Sequence, residues 1–338
     1  MAARFSHSDP SCCSSAMARA SDSPPEPSSA ERARLLRAAT TASIVVALGL
    51  TLIKAWGSYV TDSVALLASL ADSLLDLFAS GLTFWAVRLS LSPADAEHRF
   101  GHGKSEGLAA LVQGIIITAS GLFVAREAIA RFSTPAGIEQ PAVGLLVIVV
   151  STVATGLLVT YQNHVGRRTG SVAIRADALH YRSDFVVNLS VAAAIALSAW
   201  TGWRFMDPLV ALAVSAYILW GALKLGAQSL DILLDREIPD ADRQRVADIA
   251  LAHPEVLGLH DMRTRHGGSH YIVQFHLDLP AEISLWRSHE ILDEVEDNIR
   301  AVFPRCEIII HADPLGVREA KDAFEEARQV DRDSQPAG

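Results

Sequence analysis

Leu70-Ala71-Asp72-Ser73-Leu74-Leu75-Asp76-Leu77 sets two carboxylates four residues apart inside an otherwise apolar run from Ser63 to Val87. Four residues is just over one helical turn, so Asp72 and Asp76 project from one face of a helix. A charge in lipid is costly unless paired or solvated, so the pair predicts a cation between them and a partner helix opposite. His180-Tyr181-Arg182-Ser183-Asp184, at the start of another apolar run, repeats the spacing with an imidazole and a carboxylate. Asp72, Asp76, His180 and Asp184 together can surround one divalent cation tetrahedrally, and they are the expected working site.

Working outward, six apolar runs follow one another: Leu35 to Trp56, Ser63 to Val87, Leu108 to Ile129, Ala142 to Tyr161, Phe185 to Trp200 and Pro208 to Leu223. Several fall short of the ~20 residues that span a bilayer, but each extends with small or mildly polar neighbours, so six transmembrane helices are expected. A soluble bundle would show a polar face on each helix, which these mostly lack. Arg32, Arg34, Arg37, Arg88, Arg99, Lys104, Arg167, Arg168, Arg175 and Lys224 flank the runs on one side, against Lys54, Arg126, Arg131 and Arg204 on the other. The richer side is expected to be cytoplasmic, with both termini there. Trp56, Trp200 and Trp203 sit at the expected outer ends, as interfacial anchors do.

Asp72 lies ~15 Å from the outer start of its helix, whereas His180 lies close to the inner start of its apolar run. The two pairs meet only if the fifth helix begins near Ser171 and projects into the cytoplasm. Arg175, Asp177 and Arg182 then either line a wet inner approach or form a solvated helix end. Asn188 continues the polar face, as a partner of a ligand or as an interhelical hydrogen bond.

Between the second and third runs, Asp95, His98 and His102 carry the chemistry of a second metal site with a position left for water. Beyond Leu223 the pattern changes to that of a small soluble domain. Asp240 to His253 reads as an amphipathic helix with Asp240 as N-cap. Val256 to Arg265 and His270 to Leu279 read as strands, Ser284 to Phe303 as a second helix and Cys306 to His311 as a last strand. The order αββαβ predicts an α+β sandwich with helices on one face of a sheet, helped by dimerisation because a domain of this size is marginal alone. His260, His276, His289, His311 and Asp313 are the expected metal ligands there. His266 and His270 flank a turn and are expected at the surface.

The net charge of -9, with no basic stripe, excludes nucleic acid as a partner. Residues 1–30 and 317–338 are expected to be disordered tails, poor in large apolar residues. Cys12, Cys13 and Cys306 form neither a disulfide framework nor a CxxC zinc knuckle. A carboxylate-bridged oxidase would need Glu-x-x-His pairs on facing helices, and the membrane runs have none.

These motifs in this order, with His98-Arg99-Phe100-Gly101-His102-Gly103-Lys104-x-Glu106 and His311-Ala312-Asp313-Pro314, resemble the cation diffusion facilitator family, closest to its bacterial zinc and ferrous-iron efflux branch. The resemblance covers roughly Glu31 to Gly316. It implies a homodimeric proton-coupled antiporter, not an enzyme, in the bacterial inner membrane, expelling a divalent metal from the cytoplasm. Residues 31–230 would form the transporter domain and 231–316 a cytoplasmic ferredoxin-like, metallochaperone-like domain. By similarity Asp72, Asp76, His180 and Asp184 are the transport site, with His180 coupling protons. Asp95, His98 and His102 are a loop site, and the C-terminal cluster holds structural metal. Zn2+ is the expected metal, transported and structural, with Cd2+ or Fe2+ as other substrates. The alternative is a membrane-anchored metal sensor acting through the C-terminal histidines.

Overall fold

The computed structural model describes residues 27–61, 64–133, 142–201, 205–268 and 270–316. The expected tails lie outside these residues, except that a helix already starts at Ser29. Two compact units divide near Leu234 and Asp235.

Among the described residues the first unit shows the long helices α1 (Ser29–Thr61), α2 (Val64–Ser90), α3 (Ser105–Ser133), α4 (Ala142–Thr169), α5 (Val172–Thr201) and α6 (Met206–Leu233). Among the described residues, four stretches, Ser29–Val60, Leu70–Ser90, Ser105–Ala130 and Pro208–Leu233, are long and apolar enough to cross a membrane. The unit is inside-out relative to a soluble bundle. Phe78, Ile115, Phe123, Leu157, Trp220 and Leu223 are exposed, while Ala39, Ser43, Ala79, Ser80, Thr83 and Ala110 are buried. Lipid is as apolar as leucine, so large side chains gain nothing by turning inward, and small residues let backbones approach. Gly121 of α3 shows the tightness: a Cβ there would lie 3.1 Å from Leu219 of α6.

α1 starts where Ser28 Oγ accepts the Glu31 N–H at 3.2 Å, satisfying one of the helix's free donors. α5 begins at Val172, as the depth argument requires, with Ser171 Oγ accepting the Ile174 N–H at 3.3 Å.

The second unit contains α7 (Asp240–Leu251), β1 (Gly258–His266), β2 (Tyr271–Leu279), α8 (Leu285–Val302) and β3 (Cys306–Pro314). The sheet order is β1-β2-β3, with β1 antiparallel and β3 parallel to β2. Alternation along β2 turns Val273, Phe275, Leu277 and Leu279 into the core, where they pack with Val246 and Ala250 of α7 and Ile291, Val295 and Ile299 of α8. The residues between them, Gln274, His276 and Asp278, belong to the opposite face. Asp240 is not the N-cap: Pro239 holds that position with no side-chain cap. Ser284 caps α8 by accepting the Arg287 N–H at 3.1 Å.

Ile291 is fully buried. Ile291→Val is expected to cost the sheet domain about 1 kcal/mol, read as faster hydrogen exchange of the β2 amides in the intact chain.

Arg287 grips Glu255 at 2.5 Å, Glu290 at 3.1 Å and Glu294 at 3.0 Å. The Arg287 hydrogen bond holds Glu255 below the ordinary carboxylate range, and His253 followed by Arg287 does the same for Glu294. A depressed carboxylate stabilises the fold above its ordinary value of 4.5 and loses that contribution as pH falls through its lower folded value. The tie between α8 and the segment after α7 is therefore intact at neutral pH and loosens in acid. Hydrogen exchange of the Glu255 amide should accelerate below that value, and Arg287→Ala should remove this pH dependence.

Candidate metal centres

α2 and α5 bring the first cluster together. His180 Nε2 lies 3.0 Å from Asp76 Oδ1 and 3.8 Å from Asp184 Oδ2. One donor atom from each of Asp76, His180 and Asp184 falls within 4.8 Å of the others. Asp72 lies outside that tight group but lines the same cavity, of about 620 Å³, with all three. Asn188 is on the cavity wall too.

His180 and Asp76 are nearly buried. Asp184 Oδ2 is buried and, among the described residues, has no hydrogen-bond partner. A buried carboxylate oxygen without a hydrogen bond is expensive, and a cation is a partner that would satisfy it. The donor set, three carboxylates and one imidazole, suits a divalent ion of the zinc, iron or cadmium kind. Tyr181 fixes the ring's helix from behind: its hydroxyl and Ser80 Oγ of α2 are 2.7 Å apart.

The loop before α3 brings Asp95, His98 and His102 together. Asp95 Oδ1 accepts the backbone N–H groups of His98 at 2.6 Å and Glu97 at 2.9 Å. The His98 amide in particular holds this carboxyl below the usual range. Asp95 Oδ2 is 3.3 Å from His102 Nε2, and the two imidazole centroids are 4.6 Å apart. Gly101, at φ +76°, makes the turn that returns His102 to Asp95. His102 Nδ1 is buried with no hydrogen-bond partner among the described residues.

In the sheet, register does the assembly. His260 pairs with His276 and His276 with His311, so the three imidazoles form one row across the strands. Their ring centroids are 5.1 and 4.8 Å apart along it. Asp313 joins them: its Oδ2 is 2.8 Å from His276 Nδ1 and 3.6 Å from His260 Nε2, and its Oδ1 is 3.2 Å from His311 Nε2.

His289, the fifth residue of the expected set, lies apart from this row. It stands exposed on α8, facing Asp293 at 3.6 Å. α8 covers the core face of the sheet, so within one protomer the sheet itself lies between His289 and the row. Burial pushes the Cys306 thiol up to about 11.

Three groups escaped the reading of the sequence. Asp278 lies 3.6 Å from His260 Nδ1, and its place two residues after His276 on the same strand face was the available signal. Lys54, counted above as an outer flank, lines the acidic cavity. Asp177, left open between a wet approach and a solvated helix end, is fully buried. It accepts the hydroxyl of Ser43 on α1, Gln162 Nε2 of α4 at 2.6 Å and Gln113 Nε2 of α3 at 3.2 Å.

Comparison with known proteins bears on both units. The family model for the cation efflux transmembrane domain matches residues 40–234, and that for the cation efflux protein cytoplasmic domain, a dimerising domain, matches 238–315. Cation-efflux pumps named FieF from Citrobacter koseri and Escherichia fergusonii are each 44% identical over 290 residues, covering 85% of this chain and 96% of theirs. Among solved structures, the zinc form of a putative zinc transporter, CzrB, is 26% identical with a TM-score of 0.24, over 25% of this chain and 99% of that one. The nickel form of the MamM C-terminal domain is 22% identical with a TM-score of 0.22, over 24% of this chain and all of that one. The chain is thus a multi-pass membrane protein with a cytoplasmic C-terminal domain, and it belongs to the cation diffusion facilitator family of cation-efflux transporters rather than to any family of enzymes.

Proposed function

We propose that this protein is a homodimeric, proton-coupled antiporter that expels a divalent metal, zinc first, from the cytoplasm by alternating access. The single observation that carries the reading is the cavity whose wall holds Asp72, Asp76, His180 and Asp184, with a buried Asp184 oxygen that lacks a hydrogen-bond partner. Zinc is favoured by a donor set of three oxygens and one nitrogen, which can close a tetrahedron; ferrous iron and cadmium accept the same set. The FieF relatives are named as cation-efflux pumps, which supports metal efflux as the activity.

Ligand chemistry supplies the coupling. Metal needs ionised carboxylates and a neutral imidazole, so metal and protons compete for the same atoms. In the inward-facing state the site takes metal and sheds protons; in the outward-facing state protons displace the metal. His180 is the natural proton carrier, held at Asp76 when no metal intervenes. Six helices would span a bacterial inner membrane with both termini cytoplasmic, residues 31–230 forming the transporter domain and 231–316 a ferredoxin-like domain. Asp95, His98 and His102, and separately His260, His276, His311 and Asp313, would hold structural zinc on the cytoplasmic side.

The test is zinc flux into proteoliposomes under an imposed proton gradient, comparing the wild type with Asp184→Ala and with a chain ending before Arg236. Gradient-dependent flux that vanishes in the point variant and persists at reduced rate in the truncation is the expected result. Absence of flux for zinc, cadmium and ferrous iron alike would overturn the reading.

A further inference from the structure

A cavity built to receive a cation also presents a cation of its own. Lys54, on α1, lines the wall that carries Asp72, Asp76 and Asp184. Its position is constrained: Lys54 Nζ donates to Ser73 Oγ at 2.6 Å, and Ser73 sits on α2 between the two aspartates of that helix. One turn earlier, Thr51 Oγ1 donates to the Ser73 carbonyl at 3.1 Å, stitching α1 to α2 at the same residue. Ser73 is 1% exposed, so the ammonium is anchored to a buried hydroxyl at the cavity rather than trailing into solvent.

An ammonium has three donors and no lone pair, so it cannot ligate a metal and acts on one only through its field. Three carboxylates and one ammonium sum to a formal charge of -2. A divalent cation brings that sum to zero, whereas without the lysine the loaded site would keep a net negative charge in a low-dielectric wall. Three uncompensated carboxylates would also hold the metal more tightly than a transporter can use, because every cycle requires release.

Resting on the transport reading above, we infer that Lys54 is a positioning residue that matches the site to divalent charge and weakens metal binding enough for turnover. It touches the hydroxyl between the acidic residues and repels the metal that they attract.

The test is the concentration dependence of zinc flux in proteoliposomes for the wild type, Lys54→Met, Lys54→Gln, Lys54→Arg and Ser73→Ala. Removing one positive charge from the wall of a dication site is expected to lower KM by about tenfold in Lys54→Met and Lys54→Gln, with kcat falling as release slows. Lys54→Arg, which keeps the charge, should stay near the wild type in KM. Ser73→Ala breaks the tie to α2 but keeps the ammonium, so it should not lower KM. A purely structural role for Lys54 would raise KM or leave it alone, and would do so in Ser73→Ala as well. The two neutral variants differ in polarity, so either one that folds decides the point. Wild-type flux with KM unchanged or raised in a folded neutral variant overturns this inference and leaves the transport reading standing; no flux in the wild type removes both.

Discussion

Asp76→Ala is expected to lower kcat/KM for metal flux by at least about a hundredfold, with the protein still folded by size exclusion and circular dichroism. Loss of an outer partner of a metal-ligating histidine commonly costs 10–100-fold, and here the partner is itself a ligand candidate, so the loss should reach the top of that range or exceed it. Asp76 Oδ1 is the atom nearest His180 Nε2, at 3.0 Å, and His180 is the side chain that bridges α2 to Asp184 one turn along α5. Removing Asp76 deletes one oxygen donor and frees the imidazole to turn. Asp76→Glu keeps the charge but moves the carboxylate outward by one methylene, and should recover part of the flux. His180→Ala should alter metal preference or proton stoichiometry, because it leaves three oxygens to bind the metal and removes the imidazole from the coupling. Flux in Asp76→Ala within a few-fold of the wild type would show that the cavity is not the transport path.

Asp177→Ala is expected to destabilise the membrane domain by about 1–3 kcal/mol, the cost of leaving a buried donor without its acceptor. The carboxylate is the common acceptor for Ser43, Gln113 and Gln162. Gln113 also donates to Ala79 O and Thr83 Oγ1 on α2, at 3.2 and 3.0 Å. One side chain of α5 is thereby linked to α1, α2, α3 and α4. Truncation leaves the Ser43 hydroxyl without its acceptor and Gln162 Nε2 with Ser43 Oγ alone, whereas Gln113 keeps Ala79 and Thr83; Asp177→Leu is no remedy because the Ser43 donor remains. Glu106 makes a similar clamp, accepting Ser90 Oγ at 3.0 Å and Ser171 Oγ at 2.5 Å, with Arg32 at 3.6 Å. Thermal unfolding of the detergent-solubilised chain measures the loss, and a midpoint unchanged from the wild type would mean that Asp177 is not the hub its contacts describe.

The same network marks where sequence reading ran out. Asp177 stood open between a wet inner approach and a solvated helix end because it precedes the apolar run, and its three partners come from segments 134, 64 and 15 residues away. No local pattern could have joined them. Lys54 failed in a related way: charge counting by flank places a residue along the membrane normal and says nothing about which side of its helix faces a cavity. His289 was grouped with the sheet histidines by residue type, and its place on a helix that packs on the core face of the sheet comes from the fold.

What the sequence by itself determined is whatever a short-range period controls. The four-residue spacings of Asp72 with Asp76 and of His180 with Asp184 put each pair on one helical face, and alternation put His311 and Asp313 on one face of β3. The early start of α5 followed from depth alone, and the resemblance rested on motifs quoted in order. Only the tertiary structure decided what meets what: that His180 falls 3.0 Å from Asp76, that register aligns His260, His276 and His311 in a row, and that an ammonium shares the wall with three acids. The reason is physical. Periodicity is set by local backbone geometry and reads directly from residue spacing, whereas contacts between elements are set by packing that minimises voids and unpaired polar groups over the whole fold.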